Sequence, residues 1–322
     1  MPTHISVLPE AVLDVLCVQI DEQIRPQLEL LRLPHPRTGI LSLFLPFETA
    51  NSQSSILELQ NVAPTARRSW FHDGEVLSGD LLLMTPLDPV FLLVPFLRAV
   101  SPQDGSLGNF RTLDDIFEDA SVKLGKEGDT SSDAPIELVP GDILELSRFA
   151  CIHDAMRRIC DTKDVASDLV VFRYSHSKLL GYLEKKATRL AEGNLLGKLR
   201  TLERELAKDG LMEDGKEDLL RSGRIKLACD LISQYLAPDI YQELLKRFDF
   251  SALTAHITAL READAVHETS TTNSAAQKAQ INESQNGKKR KAGGRESTGI
   301  AKLKKANING MSKLSSFFQK KS

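Results

Sequence analysis

Short apolar runs, several of them alternating with polar positions, fill the first 100 residues, and their length and punctuation predict strands. Ile5 to Leu8 is one. Leu28 to Leu33 and Ile40 to Leu45 flank a Pro34-His-Pro-Arg-Thr-Gly39 turn and read as a hairpin. Ile56 to Leu59 continues the pattern. Ser69-Trp70-Phe71 leads into a turn at His72-Asp73-Gly74, and Val76-Leu77 and Leu81 to Met84 follow. Residues 11–24 fit a helix or a strand equally well. Residues 86–98 are apolar on nearly every side, and such an element must be buried on every side. Pro86, Pro89 and Pro95 exclude a long regular helix or a central strand there. A turn followed by a short helix from Pro89, capped by Asp88, satisfies both constraints. The first 100 residues are too few to bury all these faces, so a partner subunit is expected to complete the sheet.

The pattern then changes period. Residues 101–109 and 125–135 are rich in Gly, Ser, Asp and Pro and read as loops around a short capped helix at Thr112 to Phe117. From about 136 to 257 the apolar spacing is helical. Residues 142–160 predict an amphipathic helix with a break near Ser147, and Val170 to Phe172 a short strand. Ser177 is placed to cap a helix reaching Ala191. Residues 192–222 are charged and partly helical, as in an exposed insert. Ile225 to Leu236 and Pro238 to Phe248 predict two more helices. Beyond about 262 the chain is polar and poor in aromatics, which predicts disorder up to the last dozen residues. The fold class is therefore α+β, with boundaries expected at 1–100, 101–135, 136–257 and 258–322.

Charge sharpens this division. Residues 271–322 hold twelve lysines or arginines against Glu283 and Glu296, a net +10 that leaves −13 on the first 270 residues. A basic tail is drawn to nucleic acid or to acidic protein surfaces. Lys288, Lys289, Arg290 and Lys291, followed by Lys302, Lys304 and Lys305, read as a nuclear-import signal, which places the protein in the nucleus. No run of about 18 apolar residues predicts a membrane span. Cys17, Cys151, Cys160 and Cys229 are scattered and read as free thiols; His153 between two of them reads as packing rather than metal ligation. No metal or cofactor is expected.

Phosphodiester hydrolysis with two metals needs several convergent carboxylates. The candidates are Asp88, Asp114 with Asp115, Glu118 with Asp119, and Asp161 with Asp164, and a solvated helix face accounts for most of them. There is no glycine-rich phosphate loop and no nucleophile elbow, so the chain alone is expected not to be an enzyme. Lys178, Lys185, Lys186 and Arg189 line the polar side of the 177–191 helix as candidate phosphate contacts, against an ordinary solvated face.

The C-terminal stretch Met311-Ser-Lys-Leu314-Ser-Ser-Phe317-Phe318 sets three large apolar side chains on one side of a single helical turn. It resembles the box by which replication and repair proteins bind the sliding clamp, the proliferating-cell nuclear antigen, with Met311 where that box usually has Gln. Burying Leu314, Phe317 and Phe318 would contribute about 5–9 kcal/mol before ordering costs, which suits roughly micromolar binding.

Several blocks together resemble the B subunit of eukaryotic type 2 ribonuclease H. They are Ser69-Trp70-Phe71, Ser78-Gly79-Asp80-Leu81-Leu82 and Thr85-Pro86-Leu87-Asp88-Pro89-Val90-Phe91-Leu92-Leu93, then Phe172-Arg-Tyr174-Ser175 with Leu183-Glu184-Lys185-Lys186, then Leu231 to Pro238, and the terminal box. The resemblance implies a non-catalytic scaffold in a heterotrimer that degrades RNA in RNA–DNA hybrids and incises DNA at embedded ribonucleotides. The A subunit would carry catalysis. The first 100 residues would share a triple barrel with the C subunit, and a winged-helix-like region and a tail tethered to the clamp would follow. It also implies that Trp70, Phe71, Leu81, Leu83, Pro86, Asp88, Pro89, Phe91 and Leu92 lie at subunit contacts. The alternative is a clamp-binding repair adaptor whose working part is a winged-helix DNA-binding domain.

Overall fold

A computed structural model describes residues 4–21, 29–49, 53–66, 68–102, 106–127, 140–166, 169–193, 195–263 and 265. The compact unit runs from residue 1 to 259. Its N-terminal part is a five-stranded sheet. The strands are β1 (Ile5–Val7), β2 (Leu31–Pro34), β3 (Leu41–Glu48), β4 (Ser54–Val62) and β7 (Leu81–Leu87), ordered β1-β7-β4-β3-β2. Only the β1–β7 pair is parallel. The hairpin expected around residues 34–39 is present, with Leu31 paired to Phe44 and Gly39 turning at φ 69°. Between β4 and β7 a separate hairpin is formed by β5 (Ser69–His72) and β6 (Glu75–Ser78).

The undecided segment near the N-terminus is a helix, α1 (Glu10–Asp21). It lies on one face of the sheet, where Val12 packs with Leu45, Phe47 and Leu57. The opposite face presents Leu31, Leu33, Phe44, Ile56 and Leu87 to the helices, in one continuous core.

That core is built around α2 (Pro89–Val100). Asp88 caps it by accepting from the Val90 amide at 3.1 Å, and Pro89 fills the first turn. Seven of its residues are buried, as an all-apolar helix requires. Their cover is this chain's own: α3 (Leu113–Glu127), α4 (Pro140–Leu146), α5 (Ala150–Ile159), α6 (His176–Glu192), α9 (Glu217–Ile232) and α10 (Pro238–Leu245) share the core with α2 and the sheet. Phe96 meets Phe117 of α3 edge to face at 5.8 Å.

Several elements differ from the expected bounds. The helix at Thr112 runs on to Glu127, because Ile116, Phe117 and Ala120 give it a buried stripe. The break near Ser147 is real and separates α4 from α5. The strand at Val170 belongs to a second hairpin, β8 (Cys160–Ala166) with β9 (Leu169–Tyr174). Helix α6 starts at His176 with Ser175 as its cap residue, so Ser177 lies inside the first turn. The charged stretch 192–222 holds α7 (Leu195–Lys198), α8 (Arg200–Lys208) and the start of α9. Leu206 and Leu211 anchor it in a small core with Leu227 and Leu253, the last from the helical residues 251–263.

One buried polar junction fastens sheet to helices. The Tyr235 hydroxyl, in the 3₁₀ turn Ser233–Tyr235, donates to Glu58 Oε2 of β4 at 2.7 Å. The Tyr235 ring stacks between His35 and Phe91 at 5.5 and 5.4 Å. Burial and the Glu58 carboxylate both push the Tyr235 hydroxyl's pKa upward, so it remains a donor. Removing this hydroxyl leaves a nearly fully buried carboxylate oxygen short of its donor. Tyr235→Phe is expected to cost about 1–3 kcal/mol in urea unfolding, and an unchanged midpoint would show that the junction is not a fastening.

Candidate assembly surface

Apolar side chains are left exposed where β1, β7 and β4 lie side by side at the β1 edge of the sheet. The helix-facing side of the sheet continues past the helices as two cross-strand rows. Val62 of β4 pairs with Leu81 of β7, which pairs with Ile5 of β1. Beside them Gln60 pairs with Leu83, which pairs with Val7. Val7 is 54% exposed and Val62 45%, while Leu81, Leu83 and Ile5 are half-buried.

The hairpin β5–β6 rises beside this strip. Its two-residue turn, Asp73-Gly74, has φ of 48° and 82°, the left-handed pair that a tight hairpin turn needs. A Cβ at Gly79, just past β6, would fall 2.3 Å from the Arg68 carbonyl oxygen, so only glycine fits there. Phe71 pairs with Val76, and Trp70 with Leu77. The hairpin therefore carries apolar side chains on both faces. Phe71 is 83% exposed, and Val76 and Trp70 are exposed too. An isolated two-stranded hairpin is marginal in water, and surface aromatics clustered in this way mark a contact.

The residues expected at subunit contacts therefore divide. Trp70, Phe71, Leu81 and Leu83 lie on the open strip and hairpin, and Pro86 is exposed near the end of β7. Phe91 and Leu92 are a correction: they are 4% and 0% exposed, taken by the chain's own core. Pro89 opens α2 beside them. Asp88 also faces inward. Its Oδ2 accepts from Lys186 Nζ and from the Tyr182 hydroxyl, each at 2.5 Å. Burial works against its charge, yet Lys186, Tyr182 and the Val90 amide together hold the carboxyl below the ordinary carboxylate value. Sequence reading missed Val7, Val62 and Val76. Their β-branched side chains at strand positions were the available signal, but only the register shows which face they share.

The candidate phosphate contacts divide as well. Lys186 is committed to Asp88, and Lys178 to Asp161 at 2.9 Å and the Cys160 carbonyl. Lys185 and Arg189 are exposed, and no ion pair to either is found among the described residues. Gly181, on the same side of α6 by helical spacing, has open space where a Cβ would be.

The candidate acids are dispersed. Asp119 pairs with Arg111 and Lys123, Asp161 with Arg173 and Lys178, and Asp88 with Lys186. Among the described residues no three His, Cys, Asp or Glu side chains are grouped to hold a metal ion. Cys160 is buried, its thiol pushed up to about 12 by desolvation. The Cys151 thiol accepts from the Ser54 hydroxyl at 3.0 Å. No helix among the described residues is long and apolar enough to cross a membrane. Residues 288–291 and the terminal box at Met311, Leu314, Phe317 and Phe318 lie outside the described residues.

Two family models match the chain. The triple barrel domain of the Ydr279p protein family covers residues 12–88. The winged-helix domain of the same family, described as an RNase H2 complex component, covers residues 91–245. Among curated proteins, the ribonuclease H2 B subunit of Mus musculus is 28% identical over 183 residues, 55% of this chain and 51% of that protein. The Xenopus laevis B subunit is 25% identical over 297 residues, 90% of this chain and 86% of that protein. The Bos taurus B subunit is 24% identical over 249 residues, 76% and 70% of the two chains. The match thus spans about half the length of the mouse relative and most of the frog one.

Proposed function

This chain belongs to the Ydr279p family of RNase H2 complex components, and on that premise we propose that it is the non-catalytic scaffold subunit of a heterotrimeric type 2 ribonuclease H. The observation that carries the reading is the open apolar end of the sheet with the hairpin beside it. Five strands in an open order and a hairpin bare on both faces leave a barrel for another chain to complete. The C subunit is the proposed occupant, and the A subunit, seated on the shared platform, supplies catalysis. Asp88, Asp119 and Asp161 are each taken up in ion pairs within this chain, which fits a supporting role. Through the complex, RNA in RNA–DNA hybrids is degraded and DNA is incised at embedded ribonucleotides during replication and repair in the nucleus.

Lys185 and Arg189 are the charges left to meet a phosphate backbone, without sequence readout. The tail would tether the complex to the proliferating-cell clamp and raise its local concentration at new DNA. Phe317→Ala with Phe318→Ala is expected to reduce clamp binding at least tenfold in a calorimetric titration, with nicking of free substrate unchanged; undiminished clamp binding would remove the tether.

Co-expression tests assembly. With the A and C subunits the chain should elute as a soluble 1:1:1 complex, and alone it should exchange rapidly over β1 and the β5–β6 hairpin, where its apolar side chains are exposed. A stable monomer that ignores both subunits would leave the clamp-binding adaptor instead.

A further inference from the structure

Helix α6 is fastened to the rest of the unit from two sides. On one side Lys186 Nζ and the Tyr182 hydroxyl both donate to Asp88 Oδ2, each at 2.5 Å. Asp88 is the residue that joins the sheet strand β7 to α2. On the other side Glu184 meets Arg247, just past α10, at 2.8 Å, and His176 meets Glu243 of α10 at 2.6 Å. Helix α10 is in turn held to α2 by Arg98 and Asp239 at 2.6 Å. By helical spacing Lys185 and Arg189 lie between these two fastened sides, opposite the buried stripe of Leu179, Leu183, Ala187 and Ala191. Both are exposed, and Gly181, one turn before Lys185, leaves open space for a close approach. The tip of the β8–β9 hairpin suits a phosphate backbone less well. Asp164, Val165 and Leu169 are exposed there beside Lys163.

The helical region is therefore no module on a flexible linker. It shares one continuous core with the sheet. Polar contacts also cross between the two, from Lys186 to Asp88, Tyr235 to Glu58 and Arg32 to Asp142. A rigid arm meets a duplex at one distance, whereas a tethered one meets it over a range set by its linker.

We propose that Lys185 and Arg189 form a fixed station on the duplex flank, at a set distance to one side of the incised ribonucleotide. The inference rests on the scaffold reading and deepens it, because it assigns this chain a share in placing the substrate. One chain per complex supplies one station, so the requirement falls on one side only. The contact is to the sugar–phosphate backbone and takes any sequence.

The purified trimer tests this on duplexes with one embedded ribonucleotide. The flank is shortened from about 20 to about 4 base pairs, on each side in turn. At about 3.4 Å each these lengths bracket the sheet, of which β7 alone spans about 20 Å. The catalytic subunit's own contacts need some duplex on both sides. The station adds a longer requirement on one side, where kcat/KM should drop about fivefold or more within about two base pairs. Lys185→Glu with Arg189→Glu should remove this longer requirement, and high salt should weaken it in wild type. Arg37→Glu, a change of charge on the exposed β2–β3 turn, should keep it. A gradual decline over ten or more base pairs would overturn the fixed station. A sharp drop kept by the double variant, or lost in Arg37→Glu, would overturn its assignment to α6. Equal requirements on the two sides of the wild-type substrate would overturn the contact itself. In each of these cases incision by the trimer leaves the scaffold reading standing, whereas a trimer that incises nothing would overturn both.

Discussion

Asp88→Ala is expected to lower the stability of the compact unit by about 2–4 kcal/mol, measured as a shift in the urea midpoint. The first contribution is the lost cap of α2, worth about 1 kcal/mol. The larger one is the orphaned charge. Lys186 Nζ, on a side chain 29% exposed, would face a cavity where it now meets a carboxylate at 2.5 Å, and breaking a buried pair from one side costs more than removing both partners. Asp88→Asn should therefore fall between wild type and Asp88→Ala, since the amide can still accept from Val90. Adding Lys186→Met to Asp88→Asn should recover most of the deficit. The same pair sets an acid limit. The carboxyl's pKa is lower in the folded chain than its ordinary value of 3.8, so its contribution is present in full above about pH 4 and is lost as pH falls through the lower, folded value. The Asp88→Asn protein should show a flatter stability profile below pH 4 than wild type. Equal profiles would mean that the pair contributes nothing net.

Phe71→Asp is expected to weaken assembly with the companion subunits by roughly 30–100-fold without lowering the chain's own stability. Phe71 is 83% exposed and packs on no cluster of the chain's interior, so the free chain loses little. Its burial in a complex would be worth about 1.5–3 kcal/mol, and a charge in its place adds desolvation cost. Met212→Asp, at a residue 48% exposed in the 199–216 stretch far along the chain, is the matched control and should leave assembly unchanged. A loss of stability in the free Phe71→Asp chain would mean that the hairpin packs internally. Unaltered affinity would remove it from the interface.

The contrast between these two residues follows what the sequence made legible. The hairpin was readable because its chemistry is local: Asp73-Gly74 demands its turn, and Trp70, Phe71 and Val76 sit at strand spacing. The α2 start was readable for the same reason, in the Asp88-Pro89 step. The all-apolar stretch that follows did announce that it must be covered, but its cover could not be read. It comes from helices beginning at Leu113, Ala150 and His176. The expectation that a partner covers Phe91 and Leu92 failed for that reason. The Asp88–Lys186 contact joins residues 98 positions apart and Tyr235–Glu58 joins residues 177 apart. Separations of that length leave no trace in periodicity. Helix α9 begins at Glu217, eight residues before the expected Ile225; four of the residues from Glu217 to Arg224 are charged, and their apolar side shows only in the packing of Leu219 and Leu220 with Leu227.

The central claim is that this chain supports catalysis without performing it. The most direct test is incision of a DNA duplex carrying one embedded ribonucleotide, assayed with the purified trimer, with the A and C subunits alone, and with this chain alone. The account predicts nicking by the trimer only, with Phe71→Asp chain mixed with A and C falling toward the level of A and C alone. Incision by this chain by itself, or full-rate incision by A and C in its absence, would contradict it.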